Sequence, residues 1–208
     1  TTAYILDTTA PTITYTGAIE ISADTGTADD DFNTATAAQT LTATLSAAIA
    51  NDDILQVSVN AGSSWTNDDH NTAAGTALST AITLSGTSSI HIRITDDAGN
   101  SGTATTQAYI LDTTAPTQTY SSIDISADTG DSDTDWDTAT AAQTLTATLS
   151  AAIASDDILQ TSIDDGSNWV NDDHNTAAGT SLSTAITLSG SSTIHIRITD
   201  DAGNSGTA

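Results

Sequence analysis

The chain has 208 residues, of which 27 are acidic, only Arg93 and Arg197 are basic and none is cysteine, giving a formal net charge of −25 at pH 7. So few cations exclude a basic face for nucleic acid and docking on anionic lipid, and the lack of cysteine excludes disulfides and thiolate metal sites. A well-solvated acidic surface or a cation binder remains.

The first pass along the chain finds a repeat. "AYILDTTAPT" occurs at residues 3–12 and again at 108–117, and "TATAAQTLTATLSAAIA", "NDDHNTAAGT" and "IHIRITDDAGNSGTA" follow in both halves. Gln107 is extra in the second copy and Gly17 in the first. Each copy is of domain size, 1–104 and 105–208, with the boundary near Ala104–Pro116; Ala108–Leu111 could close the first domain or open the second. No apolar run is long enough to span a membrane and no signal-peptide pattern opens the chain. The sequence reads as a fragment, exported, if at all, by a signal outside it.

Within each copy the pattern is β. "QTLTATLS" and "DILQVSVN" alternate in polarity, and "SIHIRIT" puts Ile90, Ile92 and Ile94 on one face with His91 and Arg93 on the other. "NAGSS" at 60–64, "DDGSN" at 164–168 and both "DDAGN" runs read as tight turns that use glycine at positive φ. Short antiparallel strands in this number predict an all-β chain of two tandem immunoglobulin-like sandwiches, end to end in a rod. Their core is thin: Val, Ile, Leu and Phe make up 19 of the first 104 residues. That proportion, with so high a charge, is typical of disordered chains, so a bound metal is the expected supplement.

The aspartates supply candidates. "DTGDSDTDWD" carries Asp128, Asp131, Asp133, Asp135 and Asp137, and the matching run of the first copy has Asp24, Asp29, Asp31 and Asn33. Alternating carboxylates in a loop wrap oxygens around one point, which suits Ca²⁺ with its six to eight oxygen ligands rather than Mg²⁺ or Zn²⁺. The loop is not an EF-hand, because the glycine, the closing glutamate and the flanking helices are all missing. Phe32 and Trp136 inside it read as anchors onto the sandwich. Asp52 and Asp53 (Asp156 and Asp157) precede the third main strand, and Asp96 and Asp97 (Asp200 and Asp201) follow the sixth. In an immunoglobulin-like topology both pairs lie at the pole where the chain comes in, beside Asp7 or Asp112. The acidic loop lies at the opposite pole, so Asp24, Asp29 and Asp31 are expected to face Asp112, Asp156 and Asp200 across the junction. Pro11 and Pro116 stiffen that connection. Calcium shared there would lock it.

"DTTAPT" at a domain start, "VSVNAGSSWT" at 57–66 and "ITDDAGNSG" before the last strand resemble bacterial immunoglobulin-like domains, best of all the extender repeats of giant repeats-in-toxin adhesins of Gram-negative bacteria, marine ice-binding adhesins in particular. The resemblance covers both copies. It implies tandem domains with Ca²⁺ at their linkers, the linker aspartate falling on Asp7 and Asp112, that carry distal binding domains away from the outer membrane. The chain is then monomeric, with neighbouring repeats as its partners. Thr27 stands where the second copy has Asp131, a departure that implies unequal calcium binding.

Other readings carry less. Thr-x-Thr runs suggest ice binding, but in an alternating strand these threonines are the outward partners of inward apolar residues. Trp65 and Trp169 could serve a calcium-dependent carbohydrate-binding module, although a core position suits them better. Aspartate pairs could serve acid–base catalysis, but no nucleophile has suitable surroundings, and the chain reads as non-enzymatic. His91 and His195 read as exposed. Asp68, Asp69, His70, Asp172, Asp173 and His174 form a second rank of loop ligands.

Overall fold

The computed structural model describes residues 2–68, 75–172 and 179–207. Asp69, His70, Asp173 and His174 lie outside the described residues. The chain divides into two units, Thr1–Thr113 and Thr114–Ala208.

Strand alternation builds each unit. In Ala38–Thr44 every second residue, Gln39, Leu41 and Ala43, is buried, while the threonines between them face out. Unit 1 contains β1 (Glu20–Ile21), β2 (Asn33–Thr34), β3 (Ala38–Thr44), β4 (Ile54–Ser58), β5 (Thr66–Asn67), β6 (Ala77–Thr83), β7 (Thr87–Thr95) and β8 (Thr105–Leu111). They form one sheet in the order β1-β3-β6 and another in the order β2-β8-β7-β4-β5. Leu41 and Leu78 from the first sheet meet Leu55, Ile90, Ile92 and Tyr109 from the second in a single core. This is a sandwich with the immunoglobulin-like division of strands between its layers.

Unit 2 contains β9 (Tyr120–Ile125), β10 (Ala142–Leu149), β11 (Ile158–Ser162), β12 (Val170–Asn171), β13 (Ser181–Thr187) and β14 (His195–Thr199). Its sheets run β13-β10-β9 and β12-β11-β14, with Leu145, Leu159, Leu182, Ile196 and Ile198 between them.

The structure settles the place of Ala108–Leu111. β8 pairs antiparallel with β7, from Thr87↔Ile110 to Ile92↔Thr105, and parallel with β2, Asn33↔Ile110. Tyr109 is 1% exposed; its hydroxyl donates to the Val59 carbonyl at 2.8 Å and accepts the Ser85 N–H at 3.3 Å. The first nine residues or so after the sequence boundary at 104 thus complete the sandwich that precedes them. Among the described residues no helix is long and apolar enough to cross a membrane.

The turns follow the glycines. Ala61 and Gly62 have φ of 56° and 77°, and Asp165 and Gly166 have 59° and 78°. Each pair is the middle of a tight turn, closed by the Ser63 N–H donating to the Asn60 carbonyl at 3.1 Å and the Ser167 N–H to the Asp164 carbonyl at 3.2 Å.

Candidate cation-binding loops

The acidic loop of unit 1 leaves β1 and returns through β2. Gln39 ties its two ends together. This buried side chain sits at an inward parity of β3; its Oε1 accepts the Ala23 N–H at 2.8 Å, and its Nε2 donates to the carbonyls of Ala23 at 2.9 Å and Thr36 at 2.7 Å. Thr34 Oγ1 also donates to the Ala23 carbonyl, at 2.6 Å. Gln143 and Thr138 repeat these bonds in unit 2. Sequence reasoning passed over both glutamines. The signal was an amide at a position where the alternation calls for an apolar residue.

Inside the loop Asp24 reaches across to the other strand. Its Oδ2 accepts the Phe32 N–H at 3.0 Å, and Asp31 Oδ1 accepts the Asn33 N–H at 2.9 Å. Asp128 and Asp135 do the same for Trp136 and Asp137, at 3.0 and 3.1 Å. These bonds hold Phe32 and Trp136 at φ of 60° and 63°. A bulky residue in that left-handed region costs about 1–3 kcal/mol. A Cβ on Gly130 would come within 2.9 Å of the Asp137 carbonyl oxygen and 3.0 Å of Asp135 Oδ1, so the second loop is wound tightly around its glycine.

The other oxygen of each reaching aspartate is the feature of interest. Asp24 Oδ1 and Asp128 Oδ1 are buried and accept no hydrogen bond. Burial pushes the Asp24 carboxyl above its ordinary range; the Phe32 N–H opposes this, and the charges of Asp31 and Asp29 add to it. A desolvated anionic oxygen beside further anions is costly unless a cation or a donor meets it. Asp29, Asp31, Asp131, Asp133, Asp135 and Asp137 are exposed. Among the described residues no group of three or more Asp, Glu or His side chains is arranged to hold a metal ion. The donor set of carboxylate and carbonyl oxygens is of the kind a hard cation takes, and closing it around an ion requires the exposed side chains to move.

The pairs at the other pole do come together. Burial raises the Asp53 carboxyl, and the nearby charges of Asp52, Asp96 and Asp97 contribute; Asp157 is raised likewise by burial, then by Asp156, Asp200 and Asp201. Asp96 has its own partner: Asn100 donates to it through Nδ2 at 2.9 Å and through its backbone N–H at 2.7 Å, and these bonds draw its pKa down. Asp200 accepts the equivalent bonds from Asn204. Asn100 Nδ2 also donates to the Asp7 carbonyl at 3.1 Å, which brings the incoming chain to this pole of unit 1. Asp112, at the end of unit 1, donates its N–H to the Thr34 carbonyl at 3.1 Å. It therefore sits next to the acidic loop of its own unit.

The aromatic expectations divide. Phe32 is 4% exposed and part of the core, whereas Trp136 is 42% exposed. Trp65 and Trp169 are half-buried on the outer sheet face rather than in the core. Arg93 lies over the Trp65 ring with its guanidinium carbon 3.9 Å from the centroid, and Arg197 covers Trp169 at the same distance. The chain's two arginines are thus spent on cation–π stacks, and a sugar would find these ring faces already covered. His91 is half-buried, with Nε2 2.9 Å from Ser89 Oγ.

No protein-family profile and no curated protein matches the chain. Among solved structures it is similar to one described as a structural insight into host cell surface retention of a 1.5-MDa bacterial ice-binding adhesin, with 16% identity over 96% of this chain and a TM-score of 0.39. It is also similar to a tetra-tandem repeat from the extending region of a large adhesion protein, with 17% identity over 94% of this chain and a TM-score of 0.28. The chain spans 63% and 48% of those two structures. At such scores the superpositions carry no functional argument, and the role of the loops has to be read from the chain's own residues.

Proposed function

We propose that the chain is a pair of non-enzymatic spacer repeats from a bacterial cell-surface adhesin, stiffened by Ca²⁺, that hold distal binding domains away from the outer membrane of a Gram-negative cell. The observation that carries this reading is the buried carboxylate oxygen of Asp24 and of Asp128, without a donor, in loops otherwise rich in carboxylates. Calcium would supply the missing positive partner. In unit 1 its oxygen ligands would come from Asp24, Asp29, Asp31 and Asn33. In unit 2 they would come from Asp128, Asp131, Asp133, Asp135 and Asp137. The pole clusters Asp52, Asp53, Asp96 and Asp97, and Asp156, Asp157, Asp200 and Asp201, would provide further sites together with Asp7 and Asp112. The tandem repetition and the resemblance of the turns to adhesin extender repeats support the spacer role.

An ion present at 100 times its dissociation constant contributes about 2.7 kcal/mol, a sizeable part of the roughly 5–15 kcal/mol of a typical domain. Affinities of extracellular modules lie near 10⁻⁴–10⁻³ M, useful only where calcium is abundant. Small-angle scattering and thermal melting in calcium and in EDTA test the proposal. Calcium should raise the melting temperature and lengthen the maximum dimension, and Asp112→Ala should lose the lengthening while each unit stays folded. Identical profiles in the two buffers would remove calcium from the reading.

A further inference from the structure

One buried amide in each unit meets the acidic loop from inside the sandwich. Gln39 and Gln143 are each 4% exposed and stand on β3 and β10 at inward positions, in line with Leu41 and Ala43 or Leu145 and Ala147. Burying a primary amide is costly unless its donors and acceptors are met, and here they all are. Gln39 Oε1 accepts the Ala23 N–H at 2.8 Å and the Ser22 hydroxyl at 3.1 Å, while Nε2 donates to the carbonyls of Ala23 and Thr36. That set occupies both lone pairs and both N–H groups of the side chain. Gln143 makes the same four bonds with Ser126, Ala127 and Thr140.

These bonds converge on one residue. A single side chain holds both the N–H and the carbonyl of Ala23, and that carbonyl takes a second donor from Thr34 Oγ1, itself fully buried. The peptide planes on both sides of Ala23 are thereby fixed in orientation. Asp24 comes next in the chain. Its backbone starts from a fixed plane, one carboxylate oxygen accepts the Phe32 N–H, and the other is left buried in the loop. Ala127 stands before Asp128 in the same way. Each loop therefore has a set part and a movable part: Asp24 is held through Ala23, whereas Asp29 and Asp31 are exposed. A cation would have to draw in the exposed carboxylates but would find the first one in place, and a group held ready lowers the ordering cost of binding.

We infer, on the calcium reading of these loops, that Gln39 and Gln143 are positioning residues for the ion. They touch no ion themselves and set its affinity by fixing the peptide that leads into Asp24 or Asp128. Partners that orient a ligand in this way typically carry about ten- to a hundredfold in metal affinity.

The test titrates calcium alone into the full chain at neutral pH, with the backbone amide shifts of residues 24–33 and 128–137 giving a dissociation constant for each loop. Gln39→Leu should weaken the first loop by about tenfold or more and leave the second unchanged, and Gln143→Leu should do the converse. Gln39→Glu separates positioning from charge. A carboxyl there donates to at most one of the two carbonyls, and its charge, where ionised, would by itself tighten a nearby cation; weaker binding is expected all the same. In calcium-free buffer the Ala23 amide of Gln39→Leu should lose its protection from hydrogen exchange while β7 keeps its own. Thr34→Val, which removes the second donor to the Ala23 carbonyl, should weaken the first loop by about threefold, the scale of one neutral hydrogen bond. It decides the matter if Gln39→Leu fails to fold, because an unchanged constant would then overturn the inference. Loop amides of the unaltered chain that ignore calcium would overturn the calcium reading and this inference together. Calcium bound as tightly by Gln39→Leu as by the unaltered chain, or more tightly by Gln39→Glu, would overturn the inference alone.

Discussion

Two copies of nearly one sequence are covered unequally among the described residues. In unit 1 the segment 105–111 lies between β7 and β2, and the apolar residues beneath it are buried. Among the described residues of unit 2 the matching apolar side chains flank a cavity, and β14 (His195–Thr199) is shorter than β7 (Thr87–Thr95). A strand therefore stabilises more than its own residues. It fixes the register of its neighbours and shields side chains that they contribute, as the cooperativity of sheet formation requires.

The comparison breaks most severely at Tyr109. Truncating a fully buried aromatic side chain costs about 3–5 kcal/mol, and Tyr109→Ala also removes the donor to the Val59 carbonyl. Unit-resolved hydrogen exchange should show unit 1 losing stability by that amount while unit 2 keeps its own. The reverse change sharpens the contrast. Appending TTQAYILDT after Ala208 should extend β14 back to residue 191, bury Trp136 and raise the opening free energy of unit 2 toward that of unit 1.

Next comes the pair Phe32 and Trp136, equivalent in sequence and unequal in burial. Phe32→Ala should cost about 3 kcal/mol or more, and Trp136→Ala under about 1 kcal/mol, measured as shifts of each unit's urea midpoint. In the chain carrying the appended strand Trp136→Ala should become the costly one. Equal costs in the unmodified chain would mean that the cavity does not govern the packing of unit 2.

Much of this was legible beforehand. Alternation in "QTLTATLS" and "SIHIRIT" marked strands and inward residues, since a period of two leaves no other face for Leu41 or Ile92. The glycines at 62 and 166 marked their turns for an equally local reason. The structural limit of unit 1 was not legible, because a tandem repeat can be cut at any phase and periodicity cannot tell which sandwich "AYIL" completes. Only pairing across some twenty residues, β7 against β8, decides that. Trp65 escaped for another reason: the arginine that covers it stands on β7, on the far side of β4, and a strand-like position after the hairpin had suggested the core. In the acidic loops the aspartates were conspicuous, but the glutamines that clamp their ends were not, since one polar residue at an inward parity looks like a lapse until its bonds are seen.

The loops offer a smaller contrast. Unit 2 has Asp131 where unit 1 has Thr27. If both loops hold calcium as proposed, Thr27→Asp should tighten the first site by about 1 kcal/mol, roughly fivefold, the scale of one added carboxylate near a surface cation. Asp24→Asn and Asp128→Asn should each remove the calcium-dependent rise in melting temperature of its own unit. Isothermal titration and melting of these variants would show it, and a rise that survives both substitutions would place the ions elsewhere.

The smallest expected effect separates two turns of one shape. In unit 1 Asn60 Oδ1 accepts the Ser64 N–H and the Ser58 hydroxyl, both at 2.9 Å. In unit 2 Asp164 Oδ1 accepts the Asn168 N–H and the Ser162 hydroxyl, both at 2.8 Å, and Oδ2 accepts Asn168 Nδ2 at 2.6 Å. The geometry is shared, but only the second acceptor titrates. The Asn168 side chain, then its N–H and the Ser162 hydroxyl, pull the Asp164 carboxyl down to about 2. An acid whose folded pKa lies below its unfolded value of about 3.9 stabilises the fold above that value and loses the contribution as the pH falls through the folded one. Between pH 4 and about 2 unit 2 should thus lose the Asp164 contribution, while the amide of Asn60 leaves its turn unchanged. Asp165, held low by Thr193, titrates in the same direction, so the readout has to be specific to Asp164. The Asn168 amide resonance should shift with a midpoint near 2, and Asp164→Asn should flatten it. A midpoint at the ordinary carboxylate value would mean that the turn in solution does not hold the charge as its unit 1 counterpart holds the amide.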